Sequence, residues 1–434
     1  LGVIDDLMGD GNSVVVVDHD LRVLRDADYL VEIGPGSGSD GGRVIAQGTV
    51  KHVENDPTSH IGPYLSGAKS VHVRKRANDE NMFDNGAIEL ETGPLHTVES
   101  LSVRIPVGRM TAITGVSGSG KTTLILESLI PALRAMLDGN KLPAHVHEVD
   151  AGDIKRVHLI DATPIGVNVR STVATYSGIM DDLRRAFASA PAAKERKLKA
   201  GAFSYNTGSL RCPTCDGTGQ ISLDVQFLPD VDIPCPDCHG SRYGEEAYAV
   251  RLPLENVDAC IDGTDEKTSS DTKELALPDV LALTVDELLC MATGSVAKAK
   301  TKLQTLSDLG LGYLTLGEAT PALSGGEAQR LKLAGEMHKK QTDALFVFDE
   351  PTIGLHPADV EVLLRVLQRL VDKGATVVII EHDLDLIANS DYVIDMGPGG
   401  GEAGGEIVCA GTPEHIVACS DSVTGKYLKP LLKG

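Results

Sequence analysis

The sequence has no tryptophan, and six Phe and nine Tyr bring aromatics to only 3% of 434 residues. Stacking of bases on aromatic rings, a common device of single-strand binders, therefore cannot be spread over its surface. Nor does any apolar run approach the roughly 18–20 residues of a membrane-spanning helix; the longest candidates, Val14–Val17 and Thr376–Ile380, have the length of buried strands. Positive charge is scarce as well. Forty Lys and Arg face 62 Asp and Glu, a net charge of −22, which excludes a broad basic coat but leaves room for a local basic stripe. The opening residues carry no secretory pattern and, starting on Leu1, read as the middle of a helix. The expectation is a cytoplasmic protein, of which this is a fragment lacking an N-terminal part.

What is present is organised by a repeat. VVVVDHDLRVLRDADYLVEIGPG at 14–36 and VVIIEHDLDLIANSDYVIDMGPG at 377–399 open two matching segments, 14–49 and 377–412, at one offset (382 − 19 = 363). Each reads as a strand, an acid-His-Asp step, a short helix, a second strand, glycine turns and a last strand. Alternation of this kind points to an α/β domain, and self-similarity to two copies of it. Only the tail of the first copy is here; the second is whole.

The second copy carries the chemistry. GVSGSGKTT (115–123) follows the apolar strand Met110–Thr114 and fits the phosphate-loop pattern. Backbone N–H groups of Gly115, Val116, Ser117, Gly118, Ser119 and Gly120 would curl around phosphates. Lys121 would reach the β and γ oxygens, and Thr122, with Thr123 beside it, would place a hydroxyl on Mg²⁺. ALFVFDEP (344–351) is a strand ending in two acids: Asp349 to hold Mg²⁺ through water, Glu350 to orient and deprotonate an attacking water. LSGGEAQRLKLA (323–334) sets Ser324, Gly325, Gly326 and Glu327 at a helix start, a second anion site. Alone, each has a plain structural reading: a glycine turn, a surface Asp-Glu pair, a capped helix. Their order makes them specific. His382, after its own strand, is an ordinary structural histidine in isolation and a γ-phosphate contact in this order; His19 is its counterpart in the first copy.

Cys212-x-x-Cys215 and Cys235-x-x-Cys238 lie 19 residues apart, each pair in a turn followed by glycine. With no export signal, the spacing suits a tetrahedral Zn²⁺ rather than disulfides. Cys260, Cys290, Cys409 and Cys419 show no such spacing and read as packing residues. The most basic stretch joins Lys194, Arg196, Lys197 and Lys199 to Arg184, Arg185 and Arg211. It is a candidate phosphate contact for double-stranded DNA, or equally a solvated helix face.

Phosphate loop, LSGGE, strand-Asp-Glu and strand-Glu-His in this order resemble the ATP-binding-cassette layout. With a zinc module between the first two and a second cassette in the chain, the sequence resembles the C-terminal part of the UvrA family of excinuclease ABC proteins. GVSGSGKTTL, CPTCDGTG…FLPDVDIPCPDCHGSRY, LGYLTLGEATPALSGGEAQRLKLA and FVFDEPTIGLHPADV carry the likeness. The resemblance implies an ATPase that surveys DNA for damage in nucleotide excision repair, a homodimer, a UvrB-like partner protein, and no nuclease or membrane function of its own. It also implies that the LSGGE of one cassette closes over the nucleotide of another, so the fragment would bind ATP but hydrolyse it poorly unless two copies pair head to tail. The implied fold is an ABC-type P-loop ATPase domain with an inserted zinc-binding signature domain, preceded by the tail of a first ABC domain. Its expected boundaries are 1–66 for that tail, 67–85 for a connector, 86–175 for the P-loop part, 176–300 for the insert and 301–434 for the remainder.

Two departures qualify the resemblance. The family's D-Q-S-P-I-G reads DATPIG (161–166), with Ala162 in place of Gln, and R-S-N-P-A-T-Y reads RSTVATY (170–176). Both resemble a paralogue group associated with drug resistance, which makes a soluble ATPase protecting against a DNA-binding drug the alternative expectation. The ATPase component of a membrane transporter is a third, opposed by the zinc insert.

Overall fold

The computed structural model describes the chain apart from residues 1, 36–40, 72–73, 167, 224–230, 256–271, 338–339, 354 and 434, and the side chains at 223, 231 and 433. Cys260 lies outside the described residues. The chain forms two compact units, Leu1–Ala162 with Lys339–Gly434, and Thr163–His338. The second unit thus begins before residue 176 and runs past residue 300, taking the LSGGE motif with it. The cause is local: Val173 donates its N–H to Glu318 (3.0 Å), Thr320 to Ser171 (2.9 Å), and Thr172 bridges Ala319, so these two chain segments are held together.

Fifteen strands run through the described residues. β1 (Leu30–Gly34) and β2 (Arg43–Gly48) pair antiparallel in the first repeat. β3 (Ala87–Thr92) and β4 (Leu101–Pro106) alternate buried and exposed residues, as half-buried strands do. β5 (Met110–Gly115) is buried at every position. β6 (Val146–Asp150) completes a three-stranded sheet in the order β4-β3-β6, and β7 (Arg156–Ile160) joins the main sheet. The second unit supplies β8 (Gln220–Leu223) with β9 (Val231–Pro234) and β10 (Arg251–Glu255) with β11 (Thr272–Ala276), two antiparallel pairs. β12 (Ala344–Asp349), β13 (Thr376–Ile380), β14 (Tyr392–Gly397) and β15 (Glu406–Gly411) finish the main sheet, whose order is β15-β14-β5-β13-β12-β7. Only β15 runs antiparallel. Continuous apolar runs such as TVVII in β13 are what a parallel strand covered on both faces requires.

One expected strand is absent. Val14–Val17 is irregular, and Val15 and Val17 are 91% and 93% exposed. Its counterpart β13 lies between β5 and β12. Among the described residues no strand pairs with the same apolar run.

The repeat runs further than its sequence match. Glu32 on β1 accepts the Ser59 hydroxyl at 2.5 Å and the N–H groups of His60 and Ile61 at 2.9 and 3.1 Å. Asp395 on β14, its equivalent, accepts the hydroxyls of Ser422 at 2.5 Å and Thr424 at 2.9 Å. In both copies that serine also takes the N–H of a glycine in the first turn of the following helix, Gly62 at 2.8 Å and Gly425 at 2.7 Å. The first copy's tail rests on the second: Tyr64 lies edge-on to His356 at 5.9 Å, and Lys69 pairs with Glu361 at 3.4 Å.

After β13, Asp383 caps the helix Leu384–Ala388 by accepting the N–H of Leu386 at 2.8 Å. Burial, then the neighbouring Glu381, push its carboxyl up to about 7 from 3.8. The folded chain therefore holds a proton there that the unfolded chain has released, and stability falls as pH rises from about 4 to 7. Asparagine caps as well and carries no charge. Asp383→Asn is expected to leave the urea midpoint unchanged near pH 4 and to raise the unfolding free energy at pH 8 by on the order of 1–3 kcal/mol. Equal stability of the two chains at pH 8 would contradict this.

Candidate nucleotide site and metal centre

Parallel registration gathers the candidate residues of the first unit. Gly115 at the end of β5 lies opposite Met396; Ile113 opposite Ile380; and Ile380 opposite Asp349. The phosphate loop, the Asp349-Glu350 pair and the Glu381-His382 pair consequently leave the sheet at one edge. Asp161, just beyond β7, faces Asp349 electrostatically from the next strand.

The loop itself requires glycine. A Cβ on Gly115 would stand 2.0 Å from the Met396 carbonyl, and one on Gly120 2.5 Å from Val98, with φ of 133° and 99°. A second glycine segment, 399–405, presses against it: Gly401 and Gly405 donate to the carbonyls of Gly118 and Ser119, both at 3.1 Å, and a Cβ on Gly400 would meet Ser117 O at 2.4 Å. In sequence these residues read only as turns; their glycine density is the one signal that could have marked them. The N–H groups of Ser117, Gly118 and Gly120 donate to no protein acceptor among the described residues, and the Ser119 hydroxyl is buried without a partner. This concave row of unused donors is an anion nest. Lys121 is 5% exposed and donates to the carbonyls of Gly115 (3.1 Å) and Val116 (3.0 Å). Burial depresses its pKa, while Glu350 and Asp395 work to raise it. Thr122 and Thr123 open a helix that is wound as a π-helix over Thr123–Leu129 before Ile130–Leu137 continues as α. Pro131 lacks the N–H that a regular ladder would use there, and the Ser128 hydroxyl donates to Thr123 O at 2.9 Å.

Opposite the nest, Glu350 adopts a left-handed backbone, φ 45°, fixed by its N–H to Ile380 O at 2.9 Å; such strain in a non-glycine residue is typical of functional positions. Its carboxylate lies 3.6 Å from His382 Nε2. Burial, then the Lys121 charge, hold His382 below its usual pKa. Burial raises Asp349, helped by Glu350, Asp161 and Glu381. Glu381 belongs to the strand-Glu-His step, but the motif gives it no role. It is 2% exposed and accepts the N–H groups of Thr352, His382 and Asp383 at 2.9, 2.6 and 2.9 Å, as well as the Thr352 hydroxyl, tying the two acid-bearing turns together.

In the second unit, Ser324 caps the helix Gly325–Glu336 reciprocally with Glu327: Ser324 N donates to the carboxylate at 2.7 Å and Glu327 N to the hydroxyl at 3.3 Å. Burial acts to raise Glu327, but the Tyr313 hydroxyl and Ser324 outweigh it and leave it lowered. Gly325 and Gly326 form the first turn.

The four cysteines converge at the open end of the β8–β9 pair, all buried and with their sulfurs within 4.8 Å of one another. Cys212 and Cys235 are 3.9 Å apart, Cys215 and Cys238 3.6 Å. A tetrahedron with metal–sulfur bonds of 2.3 Å has edges of about 3.8 Å, so the set fits Zn²⁺. Burial acts to raise Cys215, but the Gly219 N–H at 3.3 Å and the adjoining thiols hold it at about 7; burial pushes Cys238 up to about 12. Of the basic residues, Arg184, Arg185 and Arg211 are tied to Asp181, Asp182 and Asp216 at 3.3, 3.3 and 2.7 Å. Lys194, Arg196, Lys197 and Lys199 are exposed around the helix Pro191–Glu195, with no carboxylate within 4 Å among the described residues.

Purified protein is expected to carry about one zinc per chain, and the double change Cys215→Ser with Cys238→Ser to abolish it. Metal analysis finding none in the parent chain would discard the site.

No protein-family model matches the chain. It is 44% identical over 426 residues to UvrABC system protein A of Bacillus subtilis, covering 98% of this chain and 42% of that protein. The protein of the same name from Staphylococcus aureus is 43% identical over 429 residues, again 98% of this chain and 42% of the relative. The crystal structure of UvrA2 from Deinococcus radiodurans superposes with a TM-score of 0.86 at 40% identity, over 99% of this chain and 49% of that one. The α/β ABC-type fold expected from the motifs is the fold of this structure. The chain spans less than half the length of these relatives, and over nearly all of its own length it is similar to UvrABC system protein A.

Proposed function

We propose that this chain carries one nucleotide site of a UvrA-type ATPase, together with the signature motif that completes another, and that it couples ATP hydrolysis to inspection of double-stranded DNA in nucleotide excision repair. The observation that carries the reading is the convergence of an unused donor nest, a buried lysine and the Glu350–His382 pair at one sheet edge. The amides of the loop and Lys121 bind the phosphates of ATP, which compete with the carbonyls of Gly115 and Val116 for the ammonium. Thr122 and Asp349 would hold Mg²⁺, which would supply neutralisation of the phosphate charge. Glu350 takes the proton of the attacking water, and a neutral His382 orients at the γ-phosphate. The signature segment Ser324–Glu327 offers a capped helix start to the nucleotide of another cassette, which makes a head-to-tail homodimer the working assembly and a UvrB-like protein its partner. The curated relatives weigh for repair and against the drug-resistance alternative.

Glu350→Gln is expected to bind ATP like the parent and to lower kcat by two to four orders of magnitude, the range for loss of a general base. Unchanged turnover would remove Glu350 from the role. Replacing Lys194, Arg196, Lys197 and Lys199 by Ala should weaken duplex binding at low salt. It should also flatten the dependence of log affinity on log salt by about 0.9 for each phosphate no longer neutralised. A parallel salt plot would take this cluster out of the interface.

A further inference from the structure

The two cysteine turns are copies of one another at a spacing of 23 residues (235 − 212). Asp216, Gly217 and Gly219 have φ of 50°, 79° and 80°; His239, Gly240 and Arg242, at the matching places, have 48°, 89° and 72°. In the first turn the N–H four residues beyond the second cysteine, that of Gly219, donates to Cys215 Sγ at 3.3 Å, and in the second the N–H of Arg242 serves Cys238. That position suits glycine, yet the second turn places an arginine in the same left-handed conformation.

The side chain is buried with its charge. Arg242 is 7% exposed; its guanidinium donates to Val169 O at 2.8 Å, lies over the Tyr205 ring at 5.2 Å and faces Cys215 and Cys238. Among the described residues no carboxylate lies within 4 Å of it. Asp216, the acid of the first turn, is already engaged by Arg170 at 3.1 Å and Arg211 at 2.7 Å. The opposite turn also makes way for this side chain, since a Cβ on Gly219 would stand 3.1 Å from Arg242 Cγ. A buried guanidinium needs a balancing negative charge, and four thiolates around a divalent cation carry a net charge of −2.

We infer that Arg242 is the buried counter-charge of the four-cysteine metal centre, and that through Val169 it clamps the centre to the segment before Thr172. The inference rests on the four-cysteine site holding metal. The test measures Zn²⁺ affinity of the full chain by competition with a chromophoric chelator, with Co²⁺ spectra to report thiolate ligation and circular dichroism to report folding. Arg242→Gly and Arg242→Gln are expected to weaken zinc binding tenfold or more, as loss of a residue supporting metal ligands does. Arg242→Lys should stay within about threefold of the parent, and the Co²⁺ bands of all variants should keep their tetrahedral form. A role in backbone packing alone predicts the reverse: glycine, relieved of strain, binds as well as the parent, and lysine is no better than glutamine. Either result overturns the inference, and the Gln–Lys pair decides it if the glycine variant does not fold. A parent chain that takes up neither metal overturns the four-cysteine reading itself, and this inference with it.

Discussion

The parallel registration of β5 against β13 and β14 is the constraint on which the first unit depends. β5 is buried at all six positions and is paired on both sides in a single unbroken register. With Ile113 fixed opposite Ile380, and Ile380 opposite Asp349, the ends of three strands stand level. The phosphate loop, the Asp349-Glu350 pair and the Glu381-His382 pair then lie at those ends. Glu381 converts that alignment into a rigid edge, because one buried carboxylate collects N–H groups from both flanking turns.

The second unit is held differently. Its zinc module has a short two-stranded hairpin and little apolar surface of its own, the situation in which small modules rely on metal. Polar links anchor it: Tyr205 to the carbonyl of Arg170 at 3.1 Å and to Thr172 at 3.0 Å, and Arg170 to Asp216. The same stretch, 171–173, is hydrogen-bonded to 318–320, four residues before Ser324. Metal module and signature helix therefore share one backbone ladder within this unit.

Much of this is legible in the sequence. β5, β12, β13 and β14 announce themselves as apolar runs closed by glycines or acids, and the cysteine spacing announces the four-sulfur cluster. What escapes has physical reasons. Val14–Val17 repeats the pattern of β13, but a strand exists only with a partner, and propensity carries no information about one. The π turn after the phosphate loop depends on how a helix accommodates Pro131, which a motif does not encode. The 399–405 glycines read as turns because the residues they press against, Gly118 and Ser119, lie some 280 residues away along the chain. The compact unit Thr163–His338 reaches beyond the 176–300 expected for the insert, and the contact of 171–173 with 318–320 exists only in three dimensions.

The serine links of the two repeats show what descent by duplication preserves. One copy has glutamate reaching backbone amides; the other has aspartate, shorter by a methylene, reaching a threonine hydroxyl instead. The residue identities drifted, the side-chain reach drifted, and the oxygen–oxygen separation to the serine stayed at 2.5 Å in both. Inheritance here acted on a tether between a strand and the helix that follows it. An ancestral cassette reconstructed from the two copies would have to choose acid and donors together, since a mixed pair would leave either a stranded amide or an unfilled gap.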